Sequence, residues 1–239
     1  MASSKIEWTE ITWNPSTGCT KISAGCKNCY AERMANRLKA MGINKYRNGF
    51  KLTMHPNTLI EPYRWRKPSI VFVNSMSDIF HEHLPFSFIQ SVFRVMNDNS
   101  QHIFQVLTKR PSILIDYHTK LNWTKNIWMG VTVEDHSQIY RIELLRKTNA
   151  KIKFISFEPL LTELPNLEFT GINWVIVGGE SGPRARPIEE NWVIDIYKNC
   201  KNKSIPFFFK QWGGYNKKQA GRRLNGKIYS EMPELYNLI

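Results

Sequence analysis

The chain has 239 residues, 42% of them hydrophobic and 13% aromatic, which is enough to bury one sizeable core and excludes a disordered tail. Lys and Arg number 33 against 20 Asp and Glu, a formal charge of +13 at pH 7, so the protein is folded and basic. No apolar run reaches the roughly 18 residues that cross a bilayer, and the opening MASSKIEWTEITWNP lacks the apolar segment of a secretory signal, so no membrane association and a cytoplasmic location are expected.

The first predicted element is a short strand, Ile11-Thr12-Trp13, followed by a loop that carries Cys19, Cys26 and Cys29, three of the four cysteines. Ala31, Met34, Ala35, Leu38 and Met41 then share one helical face, with Gly42 placed to stop the helix. The apolar runs Ile70–Val73, Ile103–Leu107, Ile127–Val131, Lys153–Phe157, Trp174–Val177 and Phe207–Phe209 read as strands buried on both faces, the signature of a parallel sheet. Helical patterns lie between them: Phe88 to Met96 behind Ser87, a start at Pro111, Asp135 as a cap ahead of Ile139, Ile142 and Leu145, and Trp192 to Cys200. Cys200 shares a helical face with Val193 and Ile196 and is expected in the core, as are Trp128, Trp174 and Trp192.

This alternation predicts an α/β fold of about seven parallel strands, either a closed or partial (β/α) barrel or a doubly wound sheet. The strands are followed by the cysteine loop, then Ser75 and Asp78, Thr108 to Arg110, Thr132 and Glu134, Glu158, Gly178 to Ser181, and Lys210 to Trp212. In a barrel all of these lie on one rim and build a shared site, which favours the barrel. One domain, residues 1–239, is expected.

Three thiols on one loop, with Gly18 and Gly25 allowing tight turns, are one short of a structural zinc site, whereas a 4Fe-4S cluster held by three cysteines leaves one iron open. The cysteine run, together with Asp78-Ile79-Phe80-His81-Glu82, Gln105 to Pro111, Glu158-Pro159-Leu160-Leu161, Val177 to Gly182 and Phe208 to Gly213, resembles a radical-SAM-like three-cysteine family of bacteriophages, prophages and bacteria, of poorly defined function. The resemblance covers nearly the whole chain. It implies a barrel of the radical SAM type and a cluster on Cys19, Cys26 and Cys29 with S-adenosylmethionine on the open iron. It further implies cleavage to a 5′-deoxyadenosyl radical and a reducing electron donor. The chain departs from the common C-x3-C-x2-C spacing, since six residues separate Cys19 from Cys26. Tyr30 is the aromatic candidate beside adenine. Ser75, Asp78, Glu134, Glu158, Glu180 and Lys210 have the right chemistry for a zwitterionic amino acid and a ribose diol, and Gly178-Gly179-Glu180 is similar to the superfamily's glycine-rich motif.

From Ile196 to Ser230 there is no Asp or Glu but nine cations, and Trp212, Tyr215 and Tyr229 lie among them. A basic extension or lid over about 198–230 is therefore expected to meet nucleic acid or a nucleotide, with Lys217, Lys218, Arg222 and Arg223 as contacts. His81 and His83 flank Glu82 and are read as lining the rim or pairing with carboxylates rather than as metal ligands. The competing reading is a noncatalytic zinc-stabilised nucleic-acid-binding protein. A thiol oxidoreductase built on Cys26 and Cys29 leaves Cys19 without a role. A protein partner is not legible in the sequence.

Overall fold

A computed structural model describes residues 4 and 6–234. The main sheet contains β1 (Ile11–Trp13), β4 (Ile70–Val73), β5 (Ile103–Thr108), β6 (Ile127–Thr132), β7 (Ile152–Phe157), β8 (Trp174–Gly178) and β9 (Phe207–Gln211), while β2 (Ser16–Thr17) and β3 (Thr53–Met54) form a small antiparallel pair. The helices are α1 (Tyr30–Ala40), α2 (Phe86–Asp98), α3 (Pro111–Tyr117), α4 (Tyr140–Arg146), α5 (Glu190–Asn202) and α6 (Lys217–Ala220).

All seven predicted strands form, and every neighbouring pair in the order β1-β4-β5-β6-β7-β8-β9 is parallel. The order never reverses, so there is no switch point of the doubly wound kind, and the sheet is a curled partial (β/α) barrel. Among the described residues β1 and β9 do not pair with each other, which leaves the barrel open.

The two faces of the sheet hold two separate cores. Val71, Val73, Val106, Met129, Ile155 and Val177 pack outward against Phe88, Val92, Met96, Ile142, Val193 and Cys200 of the helices. Phe72, Trp128, Phe154, Trp174 and Phe208 fill the inner face together with Trp8, without any helical residue. All six residues of β6 are buried, which is why its sequence does not alternate. Gly130 is needed there, because a Cβ would stand 2.4 Å from the Phe154 ring on the neighbouring strand. Cys200 is fully buried, and burial pushes its thiol up to about 12, as a core cysteine requires. Trp128 and Trp174 are fully buried and Trp192 packs half-buried against the outer core.

The C-terminal basic stretch is fastened to the sheet. Ser230 bridges to Phe208, Phe209 N–H donates to Tyr229 O, and Leu224 is fully buried in the outer core. Its last residues cover the edge that β9 would otherwise expose. No described helix is long and apolar enough to cross a membrane.

Candidate functional site

The strand ends gather at one rim, and the cysteine loop lies across it. Gly18, at φ +84°, lets the chain leave β2 against the backbone of Lys51, whose oxygen would be 2.3 Å from a Cβ. Cys19 N–H donates to Phe50 O at 3.2 Å, Ala24–Cys26 makes one tight helical turn, and Cys29 caps α1. Three other strand ends hold this loop. Beyond β6, Glu134 accepts from Ser23 Oγ at 2.5 Å, and its side chain lies so close that a Cβ on Gly25 would meet it at 2.3 Å. Beyond β8, Glu180 accepts from Asn28 at 2.8 Å and from Nε and Nη2 of Arg186, and the same Nη2 donates to Ala24 O at 3.0 Å. Beyond β5, Arg110 donates to Cys19 Sγ at 3.3 Å and to Thr20 O at 3.0 Å.

These acids are saturated with cations. Glu134 is fully buried between Lys109 at 2.6 Å and Arg141 at 2.8 Å. Burial alone would raise its pKa, but the two cations outweigh it and hold the carboxyl below its ordinary value. Glu180 behaves alike, burial being overcome by hydrogen bonds from Arg186 and Asn28. Asp78 accepts from Thr108 Oγ at 2.8 Å and Lys109 N–H at 3.0 Å and pairs with Arg110 at 3.3 Å. Glu82 completes the group, accepting from Arg110 Nε at 2.6 Å and Thr20 Oγ at 3.0 Å. His81 is buried, with Nε2 on Thr20 Oγ at 3.1 Å and Nδ1 accepting from His83 N–H, so both nitrogens are engaged.

The three thiols are half-buried. Burial raises Cys19 to about 11, helped by Asp78 and opposed by Arg110. Burial also raises Cys29. At Cys26 burial is overcome by the charge of Lys109 and by hydrogen bonds from Ile22 and Ser23, so its pKa falls. The charge of Cys26 acts on both of the other thiols. Among the described residues no three His, Cys, Asp or Glu side chains are grouped to hold a single ion.

This chain belongs to a family of proteins of unknown function, DUF5131. The family model matches residues 3–233. No curated protein matches the sequence. A solved structure of a spore photoproduct lyase mutant with bound AdoMet and dinucleoside spore photoproduct is similar at 13% identity, with a TM-score of 0.47. The match covers 74% of this chain and 57% of that one.

The remaining expected cofactor residues fall into two sets. Tyr30 OH donates to Ser75 O, while Glu158 pairs with Lys210 at 2.7 Å and accepts from Ser156 at 2.9 Å. Ser75 follows β4, Glu158 follows β7 and Lys210 lies in β9, so both sets stand at strand ends, and burial, with the charges of Cys29 and Glu158, raises the Tyr30 pKa. Gly179 is required by packing, since a Cβ there would meet Trp212 O at 2.0 Å.

The expected nucleic-acid contacts are not equivalent. Arg222 lies 4.6 Å over the Phe208 ring and donates to Phe209 O at 3.2 Å, Tyr229 O at 2.9 Å and Ser230 Oγ at 2.8 Å, so it fastens the stretch to β9. Arg223 donates to Gly226 O within its own turn, Lys218 is exposed, and the Lys217 side chain lies outside the described residues. The stretch expected as a lid is anchored at Gly214 as well, through Glu180 O and Gly182 N–H. Lys109, Arg110, Arg141 and Arg186 are site residues without a recognisable motif in the sequence. Lys109 and Arg110 stand among the strand-end residues, but Arg110 meets Cys19 and Arg186 meets Ala24 from far along the chain, while Arg141 and Arg186 pair with Glu134 and Glu180 only a few residues away.

Proposed function

We propose that the protein is a radical S-adenosylmethionine enzyme that holds a 4Fe-4S cluster on Cys19, Cys26 and Cys29 and acts on nucleic acid or a nucleotide. The observation that carries this reading is three half-buried thiols on one loop at the rim of an all-parallel partial barrel, with Lys109 and Arg110 beside them and Cys200 away in the core. This donor set fits a cluster with one open iron better than a closed four-ligand zinc site. The cluster with S-adenosylmethionine, when bound, would supply hydrogen-atom abstraction from an unactivated carbon.

The chain's own residues bind and orient. Lys109 favours the thiolate of Cys26, and Arg110 donates to the sulfur of Cys19. Glu134 and Glu180 stay ionised and keep the loop closed onto the barrel. Asp78 acts through Arg110 and is a positioning residue. Glu158, Lys210, Tyr30 and Ser75 offer a carboxylate, an ammonium, a phenol and a hydroxyl on the remaining rim, the set that a zwitterionic amino acid with a ribose diol requires.

The test is iron and acid-labile sulfide after anaerobic reconstitution, with 5′-deoxyadenosine release from S-adenosylmethionine and dithionite. About four irons per chain are expected. Cys19→Ala, Cys26→Ala and Cys29→Ala should each lose the cluster absorbance, and Cys200→Ser should keep it. One tightly held zinc and no cleavage would overturn the reading in favour of a zinc-stabilised binder.

A further inference from the structure

From Arg33 to Ile60 the chain has no Asp or Glu and carries Arg33, Arg37, Lys39, Lys45, Arg47 and Lys51. Five of these six are exposed, and Lys45 is half-buried with Glu61 facing it. None of the six forms an ion pair with a carboxylate among the described residues. Arg33 is held by Ser181 O at 2.9 Å, and Glu32, the nearest preceding acid, is neutralised by Lys21 at 2.7 Å.

Large apolar side chains are exposed on the same lobe. Tyr30 is 48% exposed, Met34 42%, Met41 61% and Ile43 42%. Tyr30, Met34 and Arg37 of α1 and Met41 just after it recur at helical spacing and form one exposed stripe, so Met34 and Met41, expected on one face with Ala31, Ala35 and Leu38, stand beside the buried face rather than in it. Those two alanines pack with Tyr46, Met76, Leu38 and Phe50, so the lobe is a folded platform with its own small core. Both of its ends abut the thiol loop: α1 starts one residue after Cys29, and Phe50 O accepts from Cys19 N–H. Along α1 the stripe runs about 16 Å outward from the thiols.

We propose that this lobe, residues 30–51, is the docking surface for a single nucleic-acid strand, which it guides to the rim at the thiol loop. Unpaired cations set among exposed aromatic and thioether side chains match the alternation of phosphate and base along a strand. A lipid surface or an acidic protein matches the charge but not that alternation. The inference rests on the proposed enzyme for what happens to the strand at the rim; the docking surface itself stands on charge and exposure alone.

The test uses the full chain after cluster reconstitution and fluorescein-labelled single strands of DNA and of RNA, about 20 nucleotides long. Anisotropy is read across about 50 to 200 mM salt. Arg37→Glu, Arg47→Glu and Lys51→Glu combined should weaken binding about tenfold or more. They should also make the dependence of log K on log salt shallower by about 2, from three contacts at about 0.7 each. Met34→Ala with Met41→Ala should weaken binding with the salt dependence unchanged. Circular dichroism melts of each variant should overlay the wild type. Binding unchanged in the triple variant, or lost only in Lys218→Glu with Arg223→Glu, overturns the proposal. So does capture of phosphatidylserine vesicles, or of a polyglutamate peptide, with no binding of either strand. Iron content and 5′-deoxyadenosine release are measured on the same samples. A wild type without iron that binds strands through Arg37, Arg47 and Lys51 would sink the enzyme reading and leave the docking surface standing.

Discussion

Two stretches of the chain lack acids, residues 33–60 with six cations and residues 196–230 with nine, and the fold neutralises part of the second with carboxylates but none of the first among the described residues. In the second stretch Lys203 pairs with Glu168 at 2.5 Å, Lys210 with Glu158 at 2.7 Å and Lys198 with Asp195 at 3.8 Å, while Arg222 and Arg223 donate to backbone oxygens. In the first no cation meets a carboxylate at ion-pair distance among the described residues, although the stretch is shorter. A run without acids is therefore not a measure of free charge. The partners that neutralise it come from other elements, and only those cations left over can meet a ligand.

If paired cations hold the fold and unpaired ones do not, the largest stability loss should come where the pair is driest. Glu134→Ala strands Arg141 in the interior and leaves the half-buried Lys109 without its partner, and denaturant titration should show a loss of about 3–5 kcal/mol. Arg222→Ala removes hydrogen bonds from the guanidinium to two carbonyls and a hydroxyl, together with its stacking on Phe208. A loss of about 1–3 kcal/mol is expected. Glu82 gives a smaller, pH-dependent effect. Burial would raise its carboxyl, but hydrogen bonds from backbone, Arg110 and Thr20 bring it from 4.5 to about 2. Its folded pKa is thus depressed, so its contribution is present above about 4.5 and is lost as pH falls toward about 2. Melting temperatures over that interval should fall more steeply for the wild type than for Glu82→Gln. Smallest of all, Arg37→Ala and Lys51→Ala should stay within about 0.5 kcal/mol of the wild type, and a loss as large as that of Arg222→Ala would break the comparison.

The rim shows a similar division between what local pattern encodes and what distant contact decides. Cys19, Cys26 and Cys29 stand within one loop, and polar residues after each apolar run marked the strand ends, so the neighbourhood was legible. The pairing within it was not: Asn28 reaches Glu180 across 152 positions and Arg110 reaches Cys19 across 91. Arg186 carried no signal at all, because an arginine in a polar loop reads as solvated until Glu180 is placed beside it.

Local residue pattern alone sets the alternation of buried parallel strands and helices. A strand covered on both faces must be apolar throughout and a helix covered on one face must repeat at its own period, and both are short-range requirements. It also determined that three thiols share a loop and that Cys200 lies in the core. Long-range packing sets what local pattern does not: the barrel stays open, with the 229–231 segment covering the β9 edge, and residues 42–66, without apolar periodicity, fold as short turns and β3 against the thiol loop. It alone decided which cations are neutralised, because a charge pair depends on the distance between two side chains and not on the residues next to either of them in the chain.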